Sequence, residues 1–216
     1  MPDIEILGRV GQQILADGTV TNIRQGKTGE LSIGQVHGAY YEQSARGNAW
    51  TLATAAAGVT VAAANVFSAS AGQPIVGIFN PINSGKNCTI TRAAIMLASG
   101  TAPAGGWVWG VIAPNAGVTA AGGNGAINNG SLITGGSIAK TFVNSALTGA
   151  GAGTLFRILG GPTTGAAAAN ANLTTQEETA GDLICPPGGV VGIFAAAAGT
   201  SPIVMAYMTW EEIPIS

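Results

Sequence analysis

Charge is scarce in this 216-residue chain. Lys, Arg, Asp and Glu make up 8% of it, against about 25% of an average soluble protein. A small monomer that stays apart in water carries those residues over roughly a quarter to a third of its surface. This chain cannot, so its exterior is Thr, Ser, Asn, Gly and Ala, or much of it is covered by other chains. Such a composition argues against a typical soluble enzyme. Histidine occurs once, at His37, and no Gly-x-Ser-x-Gly elbow is present, so a nucleophilic triad would have to be built on that single residue. A structural role for His37 is the simpler reading. The two cysteines, Cys88 and Cys185, have neither metal-ligand spacing nor a Cys-x-x-Cys pairing. Each lies in an apolar, strand-like segment, where a small buried core residue is expected. Long hydrophobic runs are missing too. The longest weakly polar stretch, residues 52 to 64, is mostly Ala, is broken by Thr54 and Thr60, and falls short of the ~18–20 apolar residues of a membrane span. The start, Met1-Pro2-Asp3-Ile4-Glu5, is acidic where a signal peptide is basic, so synthesis in a cytoplasm without a processed leader is expected.

Acidic residues are absent from the whole middle of the chain. Between Glu42 and Glu177 only Arg46, Lys86, Arg92, Lys140 and Arg157 carry charge, while all five charged residues from Glu177 onward are acids. Bases spread so thinly, in a chain of pI about 5.2, make no nucleic-acid footprint. Opposite signs on different segments suit contacts between subunits or with a neighbouring protein.

Small residues are what is present. Gly, at 34 copies, and Ala together fill a third of the chain. With 47% apolar residues and a mean hydropathy of +0.38, disorder is not expected, and the glycines keep no collagen period. Residues 1–34 are the most polar part, interrupted by Gly8, Gly11, Gly18, Gly26, Gly29 and Gly34, with apolar pairs too thin for a core. They read as an extended arm ordered against something else, and residues 35–47 as a transition. From Asn48 the texture is short strands between Gly, Pro and Asn punctuation, the habit of sandwiches and barrels. Strands are expected over 49–54, 58–62, 74–80, 87–98, 107–113, 137–143, 154–159, 182–185, 190–196 and 203–210. In the fourth, Thr89 and Thr91 stand opposite in phase to Cys88 and Ile90, with Arg92 expected to break the buried face only if the register shifts. Two polar, Gly/Asn/Thr-rich stretches, 114–136 and 160–181, read as long insertions, which in a compact domain are functional or interface-forming. No fixed-period repeat is present. The body is thus an all-β antiparallel sandwich over residues 35–216.

Short catalytic motifs do not hold up. Gly85-Lys86 lacks the earlier glycine of a phosphate loop, because Asn80 stands there. Ser137-Ile-Ala-Lys140 and Lys27-Thr28-Gly29 match fragments of serine acyl-enzyme motifs, in reversed order and without the third element. Gly149 to Gly153 is glycine-rich without a βαβ context. Glu177, Glu178 and Asp182 would suit a hard cation, though a solvated face is the simpler reading. Glu211 and Glu212, after Trp210, read as exposed charges guarding a strand edge. The aromatics cluster as Tyr40 and Tyr41, Trp50, Trp107 and Trp109, and Tyr207 and Trp210. Trp107 and Trp109 share one strand face, which suits a sugar-stacking platform, or, in a chain so short of large residues, a core or subunit contact.

Several blocks together carry a resemblance. Arg24-Gln-Gly-Lys-Thr-Gly-Glu30, His37-Gly-Ala-Tyr-Tyr-Glu42, Arg46-Gly-Asn48, Gly58-Val-Thr-Val61, Phe79-Asn-Pro81 and Ser84-Gly-Lys-Asn87 resemble a group of tailed-bacteriophage virion proteins. Cys185-Pro-Pro-Gly-Gly189 and the ending Met208-Thr-Trp-Glu-Glu-Ile-Pro214 are similar to the last two strands of phage jelly-roll proteins. The blocks are short but consistent in order, and the two insertions lie outside them. The resemblance implies a capsid decoration, or cement, protein with a jelly-roll body, a homotrimer seated on the major capsid protein at the outer surface of the virion. It implies no catalytic residue, cofactor or metal, and neither nucleic acid nor membrane as a partner. On that reading Ile4, Ile6, Arg9, Arg24 and Lys27 of the arm anchor to the capsid. Tyr40, Tyr41, Trp107, Trp109 and Trp210 are then the candidates for the subunit interface or a glycan contact. The alternatives are a tail, baseplate or head-fibre component that binds host glycans, and an extracellular adhesin or ice-binding protein, against which the missing Thr-x-Thr repeat counts.

Overall fold

The structure, a computed structural model, describes residues 40–68, 72–115, 117–120, 127–149, 151–161 and 174–215. Contacts divide the chain into Met1–Ala39 and Tyr40–Ser216, and every described residue belongs to the second unit. The expected arm, with Ile4, Ile6, Arg9, Arg24 and Lys27, and also His37, lies outside the described residues. The second unit is all-β. After a single-turn helix α1 (Tyr41–Ala45) come β1 (Ala49–Ala53), β2 (Val59–Thr60), a 3-10 turn (Ala63–Asn65), β3 (Val76–Phe79), β4 (Lys86–Ser99) and β5 (Trp107–Ile112). Then follow β6 (Thr119–Ala120), β7 (Ile127–Asn128), β8 (Lys140–Val143), β9 (Leu147–Thr148), β10 (Gly153–Gly160), β11 (Thr174–Cys185), β12 (Val190–Ala195) and β13 (Ile203–Pro214).

Two antiparallel sheets face each other. The first runs β11-β4-β13-β1-β7, with β2 also on β13; the second runs β10-β5-β12-β3-β8, and β6 and β9 form a separate ribbon. The pairings nest along the chain. β1 pairs with β13, β3 with β12, β4 with β11 and β5 with β10, so that first meets last and each inner pair lies inside the one before. Laterally, β13 joins β4 and β12 joins β5.

Side-chain alternation explains why the sheets stack. On β13, Val204, Ala206, Met208 and Trp210 point inward while Ile203, Met205, Tyr207 and Thr209 stay partly wet, the period-two pattern of a sheet with one face in water. The core between the sheets gathers Trp50, Leu52, Ile78, Ile90, Ile95, Trp107, Trp109, Ile193, Met208 and Trp210. Each fully buried indole removes roughly 150–250 Å² from water, on the order of 4–6 kcal/mol of transfer free energy as an upper bound. The second sheet is covered on its outer face as well. Phe79, Val108, Ile112, Phe142, Val190 and Phe194 form a separate cluster with Val118 and Leu147, which is why β3, β5 and β12 are apolar almost throughout. Gly110 makes this possible: a Cβ there would stand 2.6 Å from the Phe67 ring and 2.7 Å from that of Phe194, two rings that meet edge to face at 5.5 Å.

Each of the ten expected strands has a counterpart, and four expectations change. The stretch 160–181 is not an insertion throughout, because from Thr174 it is a strand paired residue by residue with Met96 to Arg92. Likewise 114–136 contributes β7, which extends the first sheet beside β1. Glu212 does not guard an edge, for β13 lies between β4 and β1 and the Glu212 side chain is buried. The register does shift at Arg92, but the shift keeps Arg92 out of the buried face instead of bringing it in, because without it Arg92 would follow Cys88 and Ile90 on the same side. Thr209 faces Arg92 while Trp210 faces Ile90, so the inward set passes from Cys88 and Ile90 to Ala93 and Ile95.

Candidate interaction surface

The charges pair within the chain. Of the five central bases, Lys86 pairs with Glu212, Arg92 with Glu178, Arg157 with Glu177 and Asp182, and Arg46 with Glu42 one helical turn away. The opposite signs, expected to suit contacts between subunits or with a neighbouring protein, are therefore largely spent within this chain. Among the described residues this leaves little unpaired charge on the surface.

Glu212 is the buried member of this set. It accepts hydrogen bonds from Ser137 Oγ at 2.6 Å, from the Ile138 backbone N–H at 2.9 Å and from Lys86 Nζ at 3.3 Å. These contacts tie the loop before β8, in the second sheet, to the last strand of the first. The Ser137 hydroxyl is thus committed to a carboxylate, while Lys140, its partner in the Ser-x-x-Lys spacing, lies exposed on β8.

Where β10 and β11 lie side by side at one margin of the sandwich, a second network bridges the sheets. Trp109 Nε1 on β5 donates to Glu177 Oε2 on β11 at 2.7 Å. Arg157 on β10 also pairs with Glu177 and holds Asp182 with two N–H groups, at 2.7 and 3.2 Å, a fork-to-carboxylate geometry. The Arg157 hydrogen bonds keep the Asp182 carboxyl below its usual range, and Asp182 in turn raises the Arg157 guanidinium. Glu177, Glu178 and Asp182, considered as cation ligands, each face a base of the same chain, and among the described residues no group of three or more metal-ligating side chains occurs.

Beside this network the margin is apolar. A groove of about 460 Å³ is lined by Val111, Ile112, Pro114, Phe156, Ile184 and Val190. On its rim and along β10 stand Leu155, Phe156, Ile158 and Ile184, of which Ile158 is 69% exposed. Sheet edges are normally blunted by shortness, charge or bulges. β7 has two residues and β8 four, opening on Lys140, and β11 carries Glu177, Glu178 and Asp182 with a break in its pairing. β10 is eight residues long, and its one charge, Arg157, turns toward β11. Two register shifts against β5 bend it, so the contact it offers is made by side chains rather than by a continuous backbone ladder.

The aromatic candidates are divided by the fold. Trp107, Trp109 and Trp210 are fully buried, so none of them presents a ring to a sugar or to another subunit; the two-residue spacing of Trp107 and Trp109 points both into the inter-sheet core. Tyr41 is 52% exposed, and Tyr40 lines a small cleft with Arg92, Asn129, Thr209 and Glu211 on the outer face of the first sheet. The β10 margin was missed in the sequence because Thr154 to Leu159 reads as an ordinary strand. Only its position at a sheet edge leaves Leu155, Phe156 and Ile158 uncovered. Comparison with protein-family models, with curated proteins and with solved structures gave no match.

Proposed function

We propose that this chain is a structural subunit of a phage particle, a decoration protein with a jelly-roll body that seats on the outer capsid as a trimer. The nested pairing supports the jelly roll. Taking β1, β3, β4, β5, β10, β11, β12 and β13 as eight principal strands, first pairs with eighth, second with seventh, third with sixth and fourth with fifth. That is one long hairpin rolled into two sheets, as in the eight-stranded double Greek key. A fold hosts many functions, so the reading needs a surface as well.

The observation that carries it is the β10 margin, an apolar strand edge and groove on a surface whose charges are mostly paired internally. In a closed, symmetric assembly that margin is covered by a neighbouring subunit. A stable seat then buries roughly 1,600 Å² in total, more than the β10 residues supply, and the arm over residues 1–34 adds the capsid contact. The test uses emptied, tailless heads. Full-length protein binds them saturably, whereas a chain of residues 35–216 stays a folded trimer and does not bind. Saturation of heads by the truncated chain would remove the arm from the anchoring role, and failure of the full-length chain to bind would overturn the decoration reading.

A further inference from the structure

We infer that Cys88 and Cys185 are a latent cross-strand disulfide that can staple β4 to β11. The two residues stand directly opposite each other in the antiparallel register of these strands. Opposed residues in an antiparallel pair have Cα atoms about 4.5 or 5.5 Å apart and side chains on the same face. Both separations fall in the range of about 4.4–6.8 Å that a disulfide spans. Both thiols are reduced and buried, and both belong to the core between the sheets.

The backbone around the pair is already pinned. Asn80 Nδ2 donates to the Lys86 carbonyl at 2.7 Å and to the Cys185 carbonyl at 2.9 Å, holding the start of β4 to the end of β11. Pro186 and Pro187 stop the strand immediately afterwards. On the other side, the pairing of β11 with β4 is broken between Glu178 and Leu183, so only Leu183 to Cys185 hold the end of the strand. A covalent link at the last of these positions would fix a segment that the ladder holds by three residue pairs only.

The chemistry is thiol–disulfide exchange with a small-molecule disulfide as oxidant. One thiolate attacks that reagent and releases one of its halves as a thiol; the second cysteine then attacks the mixed disulfide and releases the other half. In sum, two cysteine thiols and one external disulfide give the Cys88–Cys185 bond and two small thiols. In the closed fold this step is slow. Burial pushes the Cys185 thiol up to about 12 and raises Cys88 also, with Cys185 and Glu212 as further causes, so little thiolate is present and no reagent reaches it. Local opening of the β11 end admits the oxidant. Such a bond is absent in a reducing cytoplasm and forms once the protein is outside the cell. That timing rests on the proposed function, whereas the bond itself does not.

The experiment uses the full-length chain. It is incubated with oxidised glutathione in urea just below the unfolding transition, alkylated, digested without reduction and mapped by mass spectrometry. The expected result is one peptide pair joining Cys88 to Cys185, with a Tm about 5–10 °C higher than that of the reduced protein and reversed by dithiothreitol. Recovery of the cysteines as free thiols, as separate glutathione adducts or as links between two chains would overturn the inference. Because no capsid is present, the outcome is independent of whether the chain binds heads.

Discussion

At the scale of single residues, two carboxylates of this chain differ sharply in what they hold. Glu212 is buried and satisfies a hydroxyl, a backbone N–H and an ammonium, so Glu212→Ala strands the Ser137 and Ile138 donors and is expected to cost about 2–4 kcal/mol in urea unfolding. Glu178 is an exposed partner of Arg92, and Glu178→Gln is expected to change stability by no more than about 0.5 kcal/mol. Similar losses from the two variants would contradict this division. Glu211 and Glu212 sit side by side at a strand end, and the alternation that buries Val204, Ala206, Met208 and Trp210 continues to Glu212 and leaves Glu211 on the wetter face. Reading both as edge charges failed because β13 lies between β4 and β1. The cysteines were more legible, because their apolar neighbours place them in the core, but their register against each other needs the pairing of two strands far apart in the chain.

Among the elements, the edges are where behaviour is decided. β10 is the long strand edge among the described residues with exposed apolar side chains and its charge turned away. Ile158 is exposed, so Ile158→Lys is expected to leave thermal unfolding nearly unchanged and, on the proposed trimer, to weaken self-association at least tenfold, because a lone ammonium would be buried in the contact. Analytical ultracentrifugation over a dilution series reads this directly, and an unchanged association would show that the subunits meet elsewhere. Strands with apolar alternation or a continuous apolar run, such as those around Leu52, Ile90, Met208 and Ile193, were readable from sequence. The first half of β11 was not: Thr174-Thr175-Gln176-Glu177-Glu178 has no hydrophobic period, since an edge strand with both faces partly wet is held by backbone pairing and by its ties to Arg157 and Arg92.

For the whole molecule, scarcity of charge takes on a specific meaning. The bases of the central span and the acids of the C-terminal segment lie apart in sequence, yet the fold brings most of them together within one chain, β4 meeting β13 and β11, and β10 lying beside β11. Among the described residues the exterior is then mostly small polar residues, glycine and alanine, with paired charges and one apolar margin, which on the proposed reading suits a surface covered by a neighbour. The all-β class was evident in the spacing of turn residues, whereas the order of strands in the sheets was not, because nesting is a property of long-range pairs. The most direct test of the proposed decoration role is a cryo-electron map of tailed heads incubated with this chain. It predicts two-sheet density in threefold clusters on the outside of the head, with the β10 margins turned toward neighbouring subunits and the N-terminal segment running onto the capsid. Density for this chain at the tail or baseplate, or as isolated subunits with the β10 margin open to solvent, would contradict it.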